Sequence, residues 1–280
     1  MMLKVDKSIV SVQWLHENID NNDLIIFDAT IPKVTSNTVS NTKKEIIPNA
    51  IFFDLKGVFL DKDGKFPNTF PETSYFEEKV QEIGVNKNSC IVVYDDLGIY
   101  SSARVWFLFK TFGFNNIAVL DGGLPEWKNQ NLPVVEEFVT KLNKGNFKAE
   151  FQSEKVTFTK DVLSNIEKQN YCLADARSKE RFYAEVKEPR EGLRGGHIPG
   201  SCSLPHTELK ENGKMKTMSE LKAIFKAINP TDKSYMFSCG TGITACILAL
   251  GLELTGQDNY TIYDGSWTEW GSTLNLPIEK

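Results

Sequence analysis

Strand-length and helix-length apolar segments alternate along this chain, and the whole series comes round twice. These two observations predict an α/β protein of two tandem domains, each a doubly wound, mainly parallel sheet flanked by helices. Alternation implies parallel pairing because a strand followed by a crossover helix returns beside its predecessor in the same direction. The offset between the two copies is about 144 residues.

In the first copy a strand, Leu24 to Asp28, is followed by a loop and a short strand entered through Ile47-Pro48. Its counterparts are Tyr171 to Asp175 and a segment entered through Ile198-Pro199. A helix then leads to the apolar run Cys90 to Asp95, matched by Ser234 to Cys239. After a loop and a second helix comes a strand ending in Leu120-Asp121-Gly122-Gly123, then a helix carrying Glu126-Trp127. The second copy answers with Tyr263-Asp264-Gly265-Ser266 and Glu269-Trp270, and Leu132-Pro133 returns as Leu276-Pro277. The Asp-Gly segments read as strand-end turns and the tryptophans as core anchors, none with a catalytic part. The repeat sets domains at residues 1–138 and 157–280. Residues 139–156, with several lysines and weak apolar periodicity, read as a linker, and the Ser/Thr/Asn-rich residues 35–44 as a solvated loop.

A length of 280 residues suits two domains of about 140. The 41% hydrophobic and 25% charged fractions are those of an ordinary globular protein. A net charge of −5 without a basic cluster argues against nucleic acid as the main partner. No apolar run approaches the roughly 20 residues of a membrane span. The opening residues lack the features of a signal or transit peptide, so a cytosolic, reducing setting is expected. Five cysteines without a Cys-x-x-Cys pair, and three histidines far apart, disfavour a disulfide framework and a metal site.

The chemistry concentrates at Cys239-Gly240-Thr241-Gly242-Ile243-Thr244-Ala245, a glycine-rich loop between a buried strand and an apolar helix. Gly240 and Gly242 permit positive φ and inward-turned amides. Thr244 stands where an N-cap hydroxyl would hold a first-turn N–H. A sulfur ringed by such donors, at the positive end of a helix dipole, is favoured as the nucleophilic anion. The first copy has Asp95 at this position, followed by a loop about two residues longer. An aspartate forms neither persulfide nor thioester, so only the C-terminal copy carries a nucleophile.

The chain resembles the tandem-domain sulfurtransferases of the rhodanese superfamily. The resemblance rests on the Cys239 loop, Arg194 to Ser201, Tyr263 to Trp270, Val93 to Asp95, Ser102 to Trp106 and Asp121 to Leu124, and runs from about residue 11 to 277. It implies two rhodanese-like domains, the first inactive. Arg181 and Arg190 match the family's two substrate arginines; the alternative is a surface ion pair with Glu185, Glu188 or Glu191. Thiosulfate is a dianion, and the enzymes that use it carry basic residues just after the cysteine. Here Gly240 and Thr241 are uncharged, whereas two guanidinium forks suit the carboxylate and carbonyl of a 2-oxo acid. The expected reaction moves sulfur from 3-mercaptopyruvate through a Cys239 persulfide to cyanide, a small thiol or thioredoxin, releasing pyruvate without metal or organic cofactor.

Thiosulfate:cyanide sulfurtransferase is the alternative within this chemistry, and a non-catalytic sulfur-carrier module lies outside it. A phosphatase of the same fold needs an arginine where this chain has Ala245. The Thr241 hydroxyl either serves the substrate carbonyl or steadies the loop. Asn68, in Pro67-Asn68-Thr69-Phe70-Pro71, lies where related enzymes tend to have a histidine, leaving Asp54 or Asp61 to approach the site. His197 and Arg177 read as structural, and Cys246 as packed core.

Overall fold

The computed structural model describes residues 2–31, 44–61 and 63–280, so residues 35–43 of the expected solvated loop lie outside the described residues. Its contacts divide the chain into two compact units. The first holds Met1–Asp61, Phe70–Phe151 and Asn212–Lys214; the second holds Lys62–Thr69, Gln152–Glu211 and Met215–Lys280.

The first unit runs β1 (Ile9–Val10), α1 (Val12–Asn18), β2 (Leu24–Asp28), β3 (Ala50–Phe52), α2 (Thr73–Glu82), β4 (Cys90–Tyr94), α3 (Ser102–Thr111), β5 (Ile117–Leu120) and α4 (Gly123–Asn129). Its sheet has the order β1-β5-β4-β2-β3, every pair parallel. All five residues of β4 are buried, as a central strand covered on both faces requires. One face carries a cluster of phenylalanines, with Phe53 stacked on Phe59 at 3.8 Å and Phe76 on Phe112 at 4.2 Å.

The second unit runs β6 (Val156–Thr157), α5 (Thr159–Lys168), β7 (Tyr171–Asp175), α6 (Lys179–Phe182), β8 (Cys202–Ser203), a hairpin of β9 (Lys210–Glu211) and β10 (Lys214–Met215), α7 (Met218–Ile228), β11 (Ser234–Ser238), α8 (Ala245–Leu254), β12 (Tyr260–Tyr263) and α9 (Ser266–Ser272). Its main sheet, β6-β12-β11-β7-β8, repeats the first strand for strand and is again parallel throughout. Helix α8 buries eight of its ten residues, so it is apolar all round. Helix α7 is instead amphipathic and begins at a capping box, the Thr217 N–H donating to Glu220 Oε2 at 2.9 Å. The tryptophans anchor both copies alike: Trp127 Nε1 donates to Pro133 O at 2.8 Å and Trp270 Nε1 to Pro277 O at 2.7 Å.

Residues 139–151 are not a free linker. The Val139 N–H donates to Ala50 O at 2.9 Å, Gly145 to Gln81 O at 2.8 Å and Phe147 to Val85 O at 3.1 Å. Phe147 is fully buried beside Phe76 and Phe109. A Cβ on Gly145 would stand 2.0 Å from Val85 O, so only glycine lets the strap lie this close. One buried phenylalanine, Phe147, and one glycine among lysines are too sparse to register as periodicity.

Candidate functional site

In each sheet the chain turns outward in opposite senses from two adjacent strands, β2 and β4 in the first unit, β7 and β11 in the second. The crevice beyond the carboxyl ends of such a pair is where doubly wound sheets receive ligands. Ser238 at the end of β11 is the register partner of Asp175 at the end of β7. This topology carries the Cys239 loop and the Asp175–Arg181 segment to one place.

Cys239 is buried, and its Sγ accepts the Gly242 N–H at 3.1 Å. The Ser266 hydroxyl stands 3.9 Å from the sulfur, accepts the Cys239 N–H at 3.2 Å and donates to Tyr263 O at 3.0 Å. The loop carbonyls are tied down too: Trp267 N–H donates to Cys239 O at 2.8 Å, and the Thr268 hydroxyl to Gly240 O at 2.6 Å. Thr241 and Ile243 are buried. Thr241 is engaged through its carbonyl, which accepts Asn68 Nδ2 at 3.1 Å. Asn68 is itself buried, in the left-handed region at φ +66°. Its place is therefore on the loop backbone.

Two local expectations change. Gly242 has positive φ, at +77°, but Gly240 does not. A Cβ on Gly240 would stand 3.2 Å from Arg181 Nη2, so any larger residue would press on that guanidinium. Thr244 is the N-cap residue of α8, yet its backbone is already helical and its side chain makes no cap hydrogen bond.

Asp95 makes the equivalent loop of the first unit informative. Its buried carboxylate accepts the N–H groups of Leu97, Tyr100 and Ser102 at 2.8–2.9 Å and the Ser102 hydroxyl at 2.6 Å. The backbone ties coincide: Leu124 N–H donates to Asp95 O at 3.0 Å, as Trp267 does to Cys239 O. Residues 96–101 lead to α3 and 240–244 to α8, so the first loop is one residue longer, not two. This turn is a nest for an anion.

Arg181 is fixed at the rim of the second loop. Its Nε and Nη2 donate to Glu188 at 3.3 and 2.6 Å, while Nη1 and Nη2 face Gly240. Glu188, its side chain buried, also accepts Arg177 Nη1 at 2.9 Å. Arg177 is in turn held by Asp175 and by Gly196 O, and lies 4.2 Å over the Trp267 ring. Burial opposes the Arg177 charge, but the Asp175 and then the Glu188 carboxylates outweigh it and hold its pKa above the ordinary value. Arg190 is half-buried in the irregular segment after α6, and among the described residues no hydrogen bond or ion pair holds its guanidinium.

His197 stacks on Phe182 at 3.9 Å and hydrogen-bonds to Phe182 O, a packing role. Cys246 is core, its thiol donating to Gly242 O at 3.2 Å. Asp54 accepts the Gly57 N–H within the first unit. Glu188 carries no motif of its own in the sequence, and Ser266 and Thr268, inside the Tyr263 to Trp270 segment read as a strand-end turn and core helix, stand instead against the Cys239 loop. Ser266 had one available signal: the repeat sets it against Gly123, and both residues have positive φ, at +47° and +55°.

Two doubly wound sheets of the same strand order, with Cys239 at the switch point of one and Asp95 at that of the other, define a tandem-domain α/β protein. Two stretches, residues 11–130 and 158–273, match the rhodanese-like domain model, and the chain belongs to the rhodanese family. It is 38% identical to the 3-mercaptopyruvate sulfurtransferase of Escherichia coli (strain K12), covering 96% of this chain and 97% of that one. It is also 38% identical to the mitochondrial thiosulfate/3-mercaptopyruvate sulfurtransferase 1 of Arabidopsis thaliana, over 99% of this chain and 79% of that one. Among solved structures it matches the crystal structure of SseA, a 3-mercaptopyruvate sulfotransferase of Escherichia coli, with a TM-score of 0.82 and 35% identity. That match covers 93% of this chain and 99% of SseA.

Proposed function

We propose that this chain is a sulfurtransferase that takes sulfur from 3-mercaptopyruvate onto Cys239 and passes it to a thiophilic acceptor. The Cys239 thiolate attacks the substrate sulfur, the carbon–sulfur bond breaks, and its electron pair leaves with pyruvate as the enolate, which a proton then quenches. Arg181 holds the substrate carboxylate through the guanidinium edge that faces Gly240. Arg190 is the second cation of the proposal, and Thr241 is available to the carbonyl. The acceptor, a small thiol, reduced thioredoxin or cyanide, attacks the outer sulfur and frees Cys239. No cofactor takes part.

The observation that carries this reading is the pair of equivalent loops. An aspartate oxygen and the outer sulfur of a cysteine persulfide both sit three bonds from Cα. The first loop ringed by donors around Asp95 thus supports a second loop built for a persulfide anion. The names of the relatives support 3-mercaptopyruvate as donor. Intact mass after incubation with 3-mercaptopyruvate tests it: a gain of one sulfur, about 32 Da, mapped to Cys239 and reversed by thiol, is expected. An unmodified Cys239 overturns the proposal.

Thiosulfate remains a second donor because the Arabidopsis relative is named for both. A kcat/KM for thiosulfate above that for 3-mercaptopyruvate would reverse the order. A cytosolic setting belongs to the same proposal. Fractionation of cells expressing the native gene tests that part.

A further inference from the structure

Cys172 and Cys202 lie thirty residues apart in sequence, and their sulfurs are 3.9 Å apart in the second unit. The sheet produces this meeting. Strands β7 and β8 are parallel neighbours with Ala174 opposite Cys202, and Cys172, two residues before Ala174, projects from the same face. Strand β8 is a two-residue strand at the sheet edge, so its backbone can move with side-chain rotation to close the remaining separation of about 2 Å. A disulfide needs its sulfurs about 2.0 Å apart.

The first unit provides an internal control. Ile25 and Ile51 occupy the equivalent positions in β2 and β3, so this fold packs there with aliphatic side chains and has no need of thiols. Both cysteines are half-buried and line a cavity of about 200 Å³ with Asn165, Tyr171, Ile228 and Lys233. A small solute reaches the sulfurs through it, whereas Cys90 and Cys246 are fully buried.

The two thiols differ in character. The contact between the two sulfurs lowers the Cys172 pKa, with help from the Lys233 ammonium and against burial. The same contact, together with burial, raises Cys202. These directions favour Cys172 as the attacking thiol of the pair.

We propose that Cys172 and Cys202 form a second thiol site, separate from Cys239, which a small hydroperoxide oxidises to an intramolecular disulfide. The Cys172 thiolate attacks the distal peroxide oxygen; the O–O bond breaks, leaving Cys172 sulfenic acid and an alcohol, or water when the oxidant is hydrogen peroxide. The Cys202 sulfur then displaces hydroxide from the sulfenic sulfur, its proton leaves with that hydroxide as water, and the S–S bond forms. Two thiols and one hydroperoxide give one disulfide, one alcohol and one water. A thiol pool returns the pair by two exchange steps. This inference does not rest on the sulfur-transfer reading.

The experiment uses the full chain and its Cys239→Ser variant, the latter to remove the other reactive sulfur. Each is treated with a small excess of hydrogen peroxide and mapped as peptides without reduction. The expected result is a Cys172–Cys202 linked peptide lighter by two hydrogens, abolished by dithiothreitol, in both proteins. In Cys202→Ser a dimedone-type probe is expected to trap sulfenic acid at Cys172, with no linked peptide. Persistence of both thiols, oxidation of Cys172 past the sulfenic stage without a link in the full chain, or linkage of either to another cysteine overturns the proposal.

Discussion

Glu188→Gln should lower kcat/KM for 3-mercaptopyruvate about tenfold while leaving the chain folded. Glu188 Oε1 serves Arg177 at 2.9 Å and Arg181 Nε at 3.3 Å; Oε2 serves Arg181 Nη2 at 2.6 Å. Glutamine keeps one oxygen, and it will stay with Arg177, whose side chain is fully buried and already locked by Asp175. The new amide then points its own N–H at Arg181 Nη2, donor against donor. A charged hydrogen bond is worth ~1.5–3 kcal/mol. Because Arg181 is 24% exposed, solvent reduces that to ~1–2 kcal/mol, or about 5–30-fold if all of it serves positioning. A coupled assay of pyruvate release gives kcat and KM separately. Loss of carboxylate binding raises KM; loss of enolate stabilisation lowers kcat. Thermal melting of the same sample separates positioning from simple destabilisation. A kcat/KM within roughly twofold of the parent, alongside a lower Tm, would refute the reasoning and leave Glu188 a packing residue.

Gly242→Ala forces a side chain into φ +77°, a cost of ~1–2 kcal/mol that the loop relieves by turning its amide off the sulfur; rapid-quench mass spectrometry should find slower sulfur loading of Cys239, and an unchanged rate would make that amide dispensable. Ser266→Gly relaxes a residue at φ +47° and removes the acceptor of the Cys239 N–H. Tm should hold or rise while turnover falls several-fold, for a hydrogen bond worth ~0.5–1.5 kcal/mol; unchanged turnover would assign Ser266 to backbone geometry alone. Asp95→Asn turns an amide donor toward the ring of N–H groups in the first unit, costing ~1–3 kcal/mol. Calorimetry should show the melting temperature lowered by about 2–4 °C per kcal/mol, with sulfur loading of Cys239 intact, and an unshifted melt would mean the nest tolerates a neutral group. Burial pushes the Cys90 thiol up to about 12, so little of it is thiolate at mildly alkaline pH. Iodoacetamide should spare Cys90 in the folded protein and modify Cys172, and peptide mapping that finds Cys90 alkylated first would contradict the burial.

Much of this protein is legible one segment at a time. The five-residue runs Leu24–Asp28, Cys90–Tyr94, Tyr171–Asp175 and Ser234–Ser238 are strands because their apolar patterns need cover on two faces. The repeat then carries the domain plan and sets Asp95 against Cys239. His197 is legible as structural from its setting in that repeat, and Arg177 from its place at a strand end after Asp175-Ala176.

Whatever depends on neighbours along the chain can be read from the residues themselves: element order, the two-copy plan, the glycine-rich loop and its Gly242 turn. Folding in three dimensions settles which distant stretches converge. It put Arg181 rather than a Cβ over Gly240, Asn68 on the carbonyl of Thr241, Ser266 under the sulfur and Cys172 beside Cys202. It also bound residues 139–151 to the first unit. The reason is physical: periodicity and backbone preference act over a few residues. These meetings join positions 27 to 173 residues apart and follow from strand register and switch-point topology, which no local pattern encodes.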